Sequence, residues 1–75
     1  MTIAQFLKEE RLKRGLKQDQ MAALLECSLS HYKEVEQGKA NAGVALQYRI
    51  AKLTRKSPTF IYKLRKEEEN KKGEQ

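Results

Sequence analysis

Between residues 17 and 41 the chain gathers side chains that can grip or read a polyanion: Lys17, Gln18, Leu29, Ser30, His31, Lys33, Glu34, Lys39 and Asn41. Leu29, Ser30, Lys33 and Glu34 share one face if the segment is helical, because positions three and four apart stack along a helix. Each has a matching chemistry in a DNA major groove. Lysine donates to guanine O6 and N7, glutamate accepts from cytosine N4, leucine packs on a thymine methyl, and serine suits any base or a phosphate. These four are the candidate base-reading residues. Lys17, Gln18, His31, Lys39 and Asn41 are the candidate phosphate contacts, which fix register without reading sequence.

Catalysis has no comparable set. The single His, His31, lacks a nucleophile or acid partner in the pattern, so it does not read as a general base. One His and one Cys, Cys27, make no metal-ligand cluster. No glycine-rich phosphate loop is present. The expectation is a non-enzyme with no cofactor and no metal.

The elements that must hold these residues follow from periodicity and caps. Thr2 with Gln5 three residues later forms a capping box for a first helix with Ile3, Phe6, Leu7 and Leu12 as its apolar stripe. Gly15 is a left-handed stop after Arg14. A second helix runs from about Gln18 to Leu25, with Met21, Ala22 and Leu25 inward, Leu24 partly outward and Asp19 suited to the helix dipole. Ala22 is small where two helices cross closely. The free N–H groups at its start make Gln18 a phosphate contact. Ser28 caps a third helix, about 28–37, with Tyr32 and Val35 inward and Gly38 as its stop. A fourth starts at Asn41 or Gly43, with Val44, Leu46, Tyr48, Ile50, Ala51 and Leu53 as its apolar set. Ser57 followed by Pro58 opens a fifth, cap then first-turn proline, burying some of Phe60, Ile61 and Leu64. The fold expected is all-α, a compact bundle of five short helices. Leu16 to Gly38 reads as two short helices joined by a tight corner, the arrangement that fits a major groove.

Composition bounds the rest. The chain of 75 residues is 39% hydrophobic and 35% charged, enough for one domain with a modest core. No apolar run approaches the roughly 18 residues that span a bilayer. A lone cysteine cannot form an internal disulfide, and no signal-peptide pattern opens the chain, so the expected setting is cytoplasmic, nucleoid-associated when bound to DNA. The net charge of +6 is uneven. Residues 1–66 hold 14 Lys or Arg against 6 Asp or Glu, whereas residues 67–75 hold two lysines against four glutamates. A basic body steers polyanions and gains affinity by counterion release. The domain expected is 1–65, followed over 66–75 by a charged tail without apolar residues, read as disordered.

The residues now in place resemble the phage-repressor (lambda-repressor-like, Xre) helix-turn-helix family. Arg11 with Gly15 and Leu16, then Gln18, Ala22, Leu25 and Ser28, then Glu36-Gln37-Gly38 with Lys39 and Asn41, match the family pattern in order. Ile50-Ala51-Lys52 and Ser57-Pro58 extend the match, so that it covers about residues 3–64 without a gap. The chain departs at Glu26, where the family often has glycine at the turn; at Tyr32, usually aliphatic; at Leu29, often polar; and at Ala42, where proline is common. A non-glycine corner at Glu26 must either be strained or take another geometry, and a buried Tyr32 hydroxyl needs water or a partner.

The resemblance implies sequence-specific double-stranded DNA binding by a transcriptional regulator, a repressor by analogy, with the third helix in the major groove. It implies a structural ion pair between Arg11 and Glu36, and the phosphate role of Gln18. One such domain reads a short half-site, so a homodimer on a two-fold-related operator is expected. The candidate dimer interface is Phe60, Ile61, Tyr62 and Leu64 on the fifth helix. The alternative is an antitoxin-type module that binds a partner protein and also represses its own operon, suggested by the tail and the outward Leu24. Arg49, Lys52, Arg55 and Lys56 extend the basic surface or simply face solvent.

Overall fold

The computed structural model describes residues 1–73, with side chains through Glu67. Its helices are α1 (Ile3–Lys13), α2 (Gln18–Leu24), α3 (Leu29–Glu36), α4 (Val44–Thr54) and α5 (Pro58–Gly73), with no strand among the described residues. The start of every helix but α4 rests on a local side-chain donor–acceptor pair. Thr2 Oγ1 accepts from the Gln5 N–H at 3.2 Å while Gln5 Oε1 accepts from the Thr2 N–H at 3.0 Å, the expected capping box. Lys17 cannot cap with its own side chain, and Gln20 Oε1 instead accepts from the Lys17 N–H at 2.9 Å. Ser28 Oγ and Ser57 Oγ each accept from a backbone N–H three residues on, at His31 and Phe60, both at 3.1 Å. Gly43 precedes α4 without a side-chain cap.

Four helices stop by one device, a left-handed residue that folds the next N–H back on the helix. Gly15 and Gly38 fill that position after α1 and α3, at φ +67° and +77°. After α2 and α4 it is filled by Glu26 and Arg55, at φ 56° and 59°. The corner between α2 and α3 is thus a strained non-glycine residue, closed by Glu26 N–H to Ala23 O and Cys27 N–H to Ala22 O, both 3.1 Å.

α3 packs on α1 and α2, and α5 on α4 and α1, around one core. That core holds Ile3, Phe6, Leu7, Met21, Ala22, Leu25, Tyr32, Val35, Ala42, Leu46, Ile50, Ala51, Ile61 and Leu64. Phe6 and Phe60 meet edge to face at 5.5 Å. Three expected core residues point out: Leu12, Tyr48 and Val44, the last 82% exposed. In α4 the buried phase is Leu46, Ile50 and Ala51; at 100° per residue, Val44 and Tyr48 fall about 200° from Leu46. The apolar set of α4 is therefore one stripe rather than the wider face expected.

Two expectations for the C-terminal part are corrected. α5 continues past Lys66 to Gly73, so the tail is helical over 66–73, while Glu74 and Gln75 lie outside the described residues. Ser57 and the buried Ile61 and Leu64 supply the costly first turns, after which Glu, Lys and Arg propagate the helix with no proline or glycine before Gly73. Ile61 and Leu64 are buried within the protomer, so they cannot form the expected dimer surface.

Candidate nucleic-acid interface

α3 is held from its inner side and open to solvent on its outer side. Tyr32 and Val35 are fully buried, whereas Leu29, Ser30, Lys33 and Glu34 all stand exposed. Spacings of one, four and five put those four on a single strip of the helix surface, as the sequence pattern requires. The strip offers an ammonium donor, a carboxylate acceptor, a hydroxyl and a branched apolar group, the functional groups that distinguish base edges. Ser28, at the N-cap, and Glu26, at the corner, set where the strip begins.

The inner anchor is the expected Arg11–Glu36 pair, and it is larger than a pair. Arg11 Nε donates to Glu36 Oε2 and Nη2 to Oε1, both at 3.0 Å, while Nη1 donates to the Leu16 carbonyl at 3.0 Å. Gln18 Nε2 donates to Glu36 Oε1 at 3.2 Å, and the Tyr32 hydroxyl donates to Glu36 Oε2. The two side chains are 13% and 5% exposed, so the pair is largely shielded from water. Burial alone pushes the Glu36 carboxyl upward, but hydrogen bonds from Arg11, Tyr32 and Gln18 and the charge of Arg11 outweigh it, leaving Glu36 below its ordinary 4.5. The hydrogen bond to Glu36 likewise holds Arg11 above its ordinary range. Burial, then the bond to Glu36 and its charge, raises the Tyr32 hydroxyl far above its ordinary 10.0.

The phosphate candidates do not share one environment. Lys17, Lys39 and Asn41 are exposed, His31 is half-buried, and Gln18 is half-buried with its amide engaged by Glu36. Gln18 is therefore a strut between α2 and α3 as well as a surface group, a role that its position alone does not reveal. Lys39 and Asn41 sit on the loop after α3. Gly38 turns that loop, and the N–H groups of Lys39 and Ala40 both donate to Glu34 O, at 2.8 and 3.2 Å. Its far end is pinned at Ala42, whose methyl is buried and whose carbonyl accepts from Gln47 Nε2 at 2.8 Å and Arg65 Nη1 at 3.0 Å.

Two of these supports lie outside the motif. The Tyr32–Glu36 bond is legible in principle, since positions four apart on a helix meet. Arg65 reaches Ala42 across 23 positions and carries no such signal. A second cluster, on α1, likewise has no motif signature. Glu10 is buried, takes Arg14 and, at 3.3 Å, Lys13, and Arg14 Nη2 reaches the Leu53 carbonyl at 3.2 Å. Burial raises the Glu10 carboxyl, and the hydrogen bonds from Arg14 and Lys13 lower it further than that, to a net position below 4.5. Of the extended basic group, Arg49 leans toward Glu26 at 3.9 Å, while Lys52, Arg55 and Lys56 are exposed. Lys56 lies over the Phe60 ring at 5.5 Å.

No helix among the described residues is long and apolar enough to cross a membrane. A family profile described as helix-turn-helix matches residues 7–61, from the middle of α1 into α5, and so takes in the corner, the strip and the anchor. No curated protein and no solved structure matches the chain. With most of its length covered by that profile and five helices in the corresponding order, the chain belongs to the lambda-repressor-like (Xre) helix-turn-helix family of DNA-binding regulators.

Proposed function

We propose that the protein is a sequence-specific double-stranded DNA-binding repressor that reads a two-fold-related operator as a homodimer, with residues 1–65 as its DNA-binding domain. The observation that carries the reading is the α3 strip: four chemically distinct side chains exposed on a helix whose other face is locked by Tyr32, Val35 and the Arg11–Glu36 anchor. Leu29, Ser30, Lys33 and Glu34 enter the major groove, while Lys17, Gln18, His31, Lys39 and Asn41 contact the backbone. The basic body supplies the sequence-independent part of the affinity.

The dimer is weak without DNA. Of the four interface candidates only Phe60, at 37%, and Tyr62, at 47%, remain exposed, and positions two apart point to different sides of a helix. Two such side chains fall well short of the roughly 1,200 Å² that a stable interface buries. The protein is therefore a monomer at low micromolar concentration that pairs on its operator. Selection of bound duplexes from a random pool tests the proposal, and a recovered palindrome is the expected result. Unrelated sequences recovered without enrichment, or a single half-site, would overturn specificity or pairing respectively.

An antitoxin-type module is the second reading, favoured by large apolar side chains left outside the core at Leu12, Leu24 and Tyr48. Co-purification with a product encoded next to it, shielding those three from solvent, separates that reading from a solitary repressor.

A further inference from the structure

We propose that Tyr32 is a positioning residue for DNA binding: its hydroxyl, acting through the Glu36 carboxylate, fixes the side-chain amide of Gln18. The proposal rests on the DNA-binding reading above and adds a residue that never touches DNA. A carboxylate offers about four lone-pair sites. Here all four are taken, by Arg11 Nε and the Tyr32 hydroxyl on Oε2, and by Arg11 Nη2 and Gln18 Nε2 on Oε1. The Glu36 side chain is nearly buried and Tyr32 is wholly so, which leaves no bulk water to replace a lost donor. The upward displacement of the Tyr32 hydroxyl keeps it protonated, so it donates throughout the working range of pH.

The geometry then propagates to the surface. Only the nitrogen of the Gln18 amide can face Glu36, because an amide oxygen there would meet a carboxylate oxygen. With that N–H committed, the amide plane is set, and its second N–H is presented to a phosphate without a search over rotamers. Removing the Tyr32 hydroxyl leaves Oε2 with a single donor. The carboxylate turns toward Arg11, and Gln18 loses its fixed partner.

The test is a double-mutant cycle of Tyr32→Phe and Gln18→Ala, read as affinity for one fluorescent duplex of mixed sequence, with the cycle closed at one salt concentration and repeated over a series of them. Tyr32→Phe alone is expected to weaken binding about three- to tenfold, part of the worth of one hydrogen bond to a charged acceptor, because Gln18 loses its fixed orientation and not its amide. The salt slope stays unchanged, since a neutral amide releases no counterion. In the Gln18→Ala background the same substitution is expected to cost nothing further. An osmolyte present throughout keeps both variants folded. In the absence of DNA, the Gln18 side-chain amide resonances of Tyr32→Phe are expected to move toward those of a solvent-exposed glutamine. An additive cycle, or an unmoved Gln18 signal, overturns the proposal while leaving DNA binding intact. Failure of the wild-type chain to bind any duplex overturns the DNA reading and this proposal together.

Discussion

Replacing Arg11 by alanine should remove a large part of the fold's stability, and any loss of DNA binding should follow mainly from that. The substitution removes two of the four donors on Glu36 and the Nη1 donor on the Leu16 carbonyl. A carboxylate only 5% exposed then keeps its charge with the Tyr32 hydroxyl and the Gln18 amide alone. Breaking a buried pair from one side costs roughly 3–5 kcal/mol. A chain of this length has a total stability of only about 4–11 kcal/mol. The loss is thus about a quarter of the total at the least, and lowers the Tm by at least about 12 °C.

The pH dependence identifies the cause. In the wild type, Glu36 sits below its ordinary 4.5, so its stabilisation is complete above that value and is lost as pH falls through the depressed folded value. Without Arg11 the burial that raises Glu36 is less opposed, and protonation relieves the stranded charge. The deficit of Arg11→Ala should therefore be largest near neutral pH and shrink toward pH 4. Urea unfolding followed by circular dichroism at both pH values measures it, and Glu36→Gln added to Arg11→Ala should recover part of the loss at neutral pH. A deficit below about 1 kcal/mol, equal at both pH values, would show an exposed pair of little worth and refute the reasoning. Arg11→Ala refolded by osmolyte should bind duplex again, weakened no further than Gln18→Ala, whose partner Glu36 it disturbs; a larger deficit would mean that Arg11 itself touches DNA.

Lys33→Ala and Glu34→Ala should each change preference at particular base pairs by roughly 1–3 kcal/mol, whereas Lys39→Ala should weaken all duplexes alike and flatten the salt slope by about 0.9; uniform losses in all three would remove α3 as the reading element. Glu26→Gly should raise stability by about 1 kcal/mol, because it relieves a left-handed non-glycine residue and gives up only a 3.9 Å, solvent-exposed contact with Arg49. Gly38→Ala should cost roughly 1–2 kcal/mol through backbone strain alone, since an added Cβ meets nothing within 4 Å; thermal unfolding checks both. Glu10 and Glu36 both sit below 4.5, so wild-type stability should hold above that value and fall as pH drops through their depressed folded values, a trend that Glu10→Gln should flatten in urea titrations at a series of pH values.

What the sequence determined by itself is local. The Thr2–Gln5 box, the Ser28 and Ser57 caps and the Gly15 and Gly38 stops each join atoms within one turn of chain, so the information lies in a few consecutive residues. The outward strip of α3 was legible for the same reason: burial of Tyr32 and Val35 forces Leu29, Ser30, Lys33 and Glu34 to the other side. The Arg11–Glu36 pair, 25 positions apart, came through the family pattern and not through local chemistry. Tertiary structure alone decided which helix covers which face. It buried Ile61 and Leu64 against α4 and α1 instead of leaving them for a second copy, and it turned Val44 and Tyr48 outward. It brought Gln18 to Glu36, Arg65 to the Ala42 carbonyl and Arg14 to Leu53. These contacts depend on how whole helices pack, an energy that belongs to the assembled core and to no single segment of the chain.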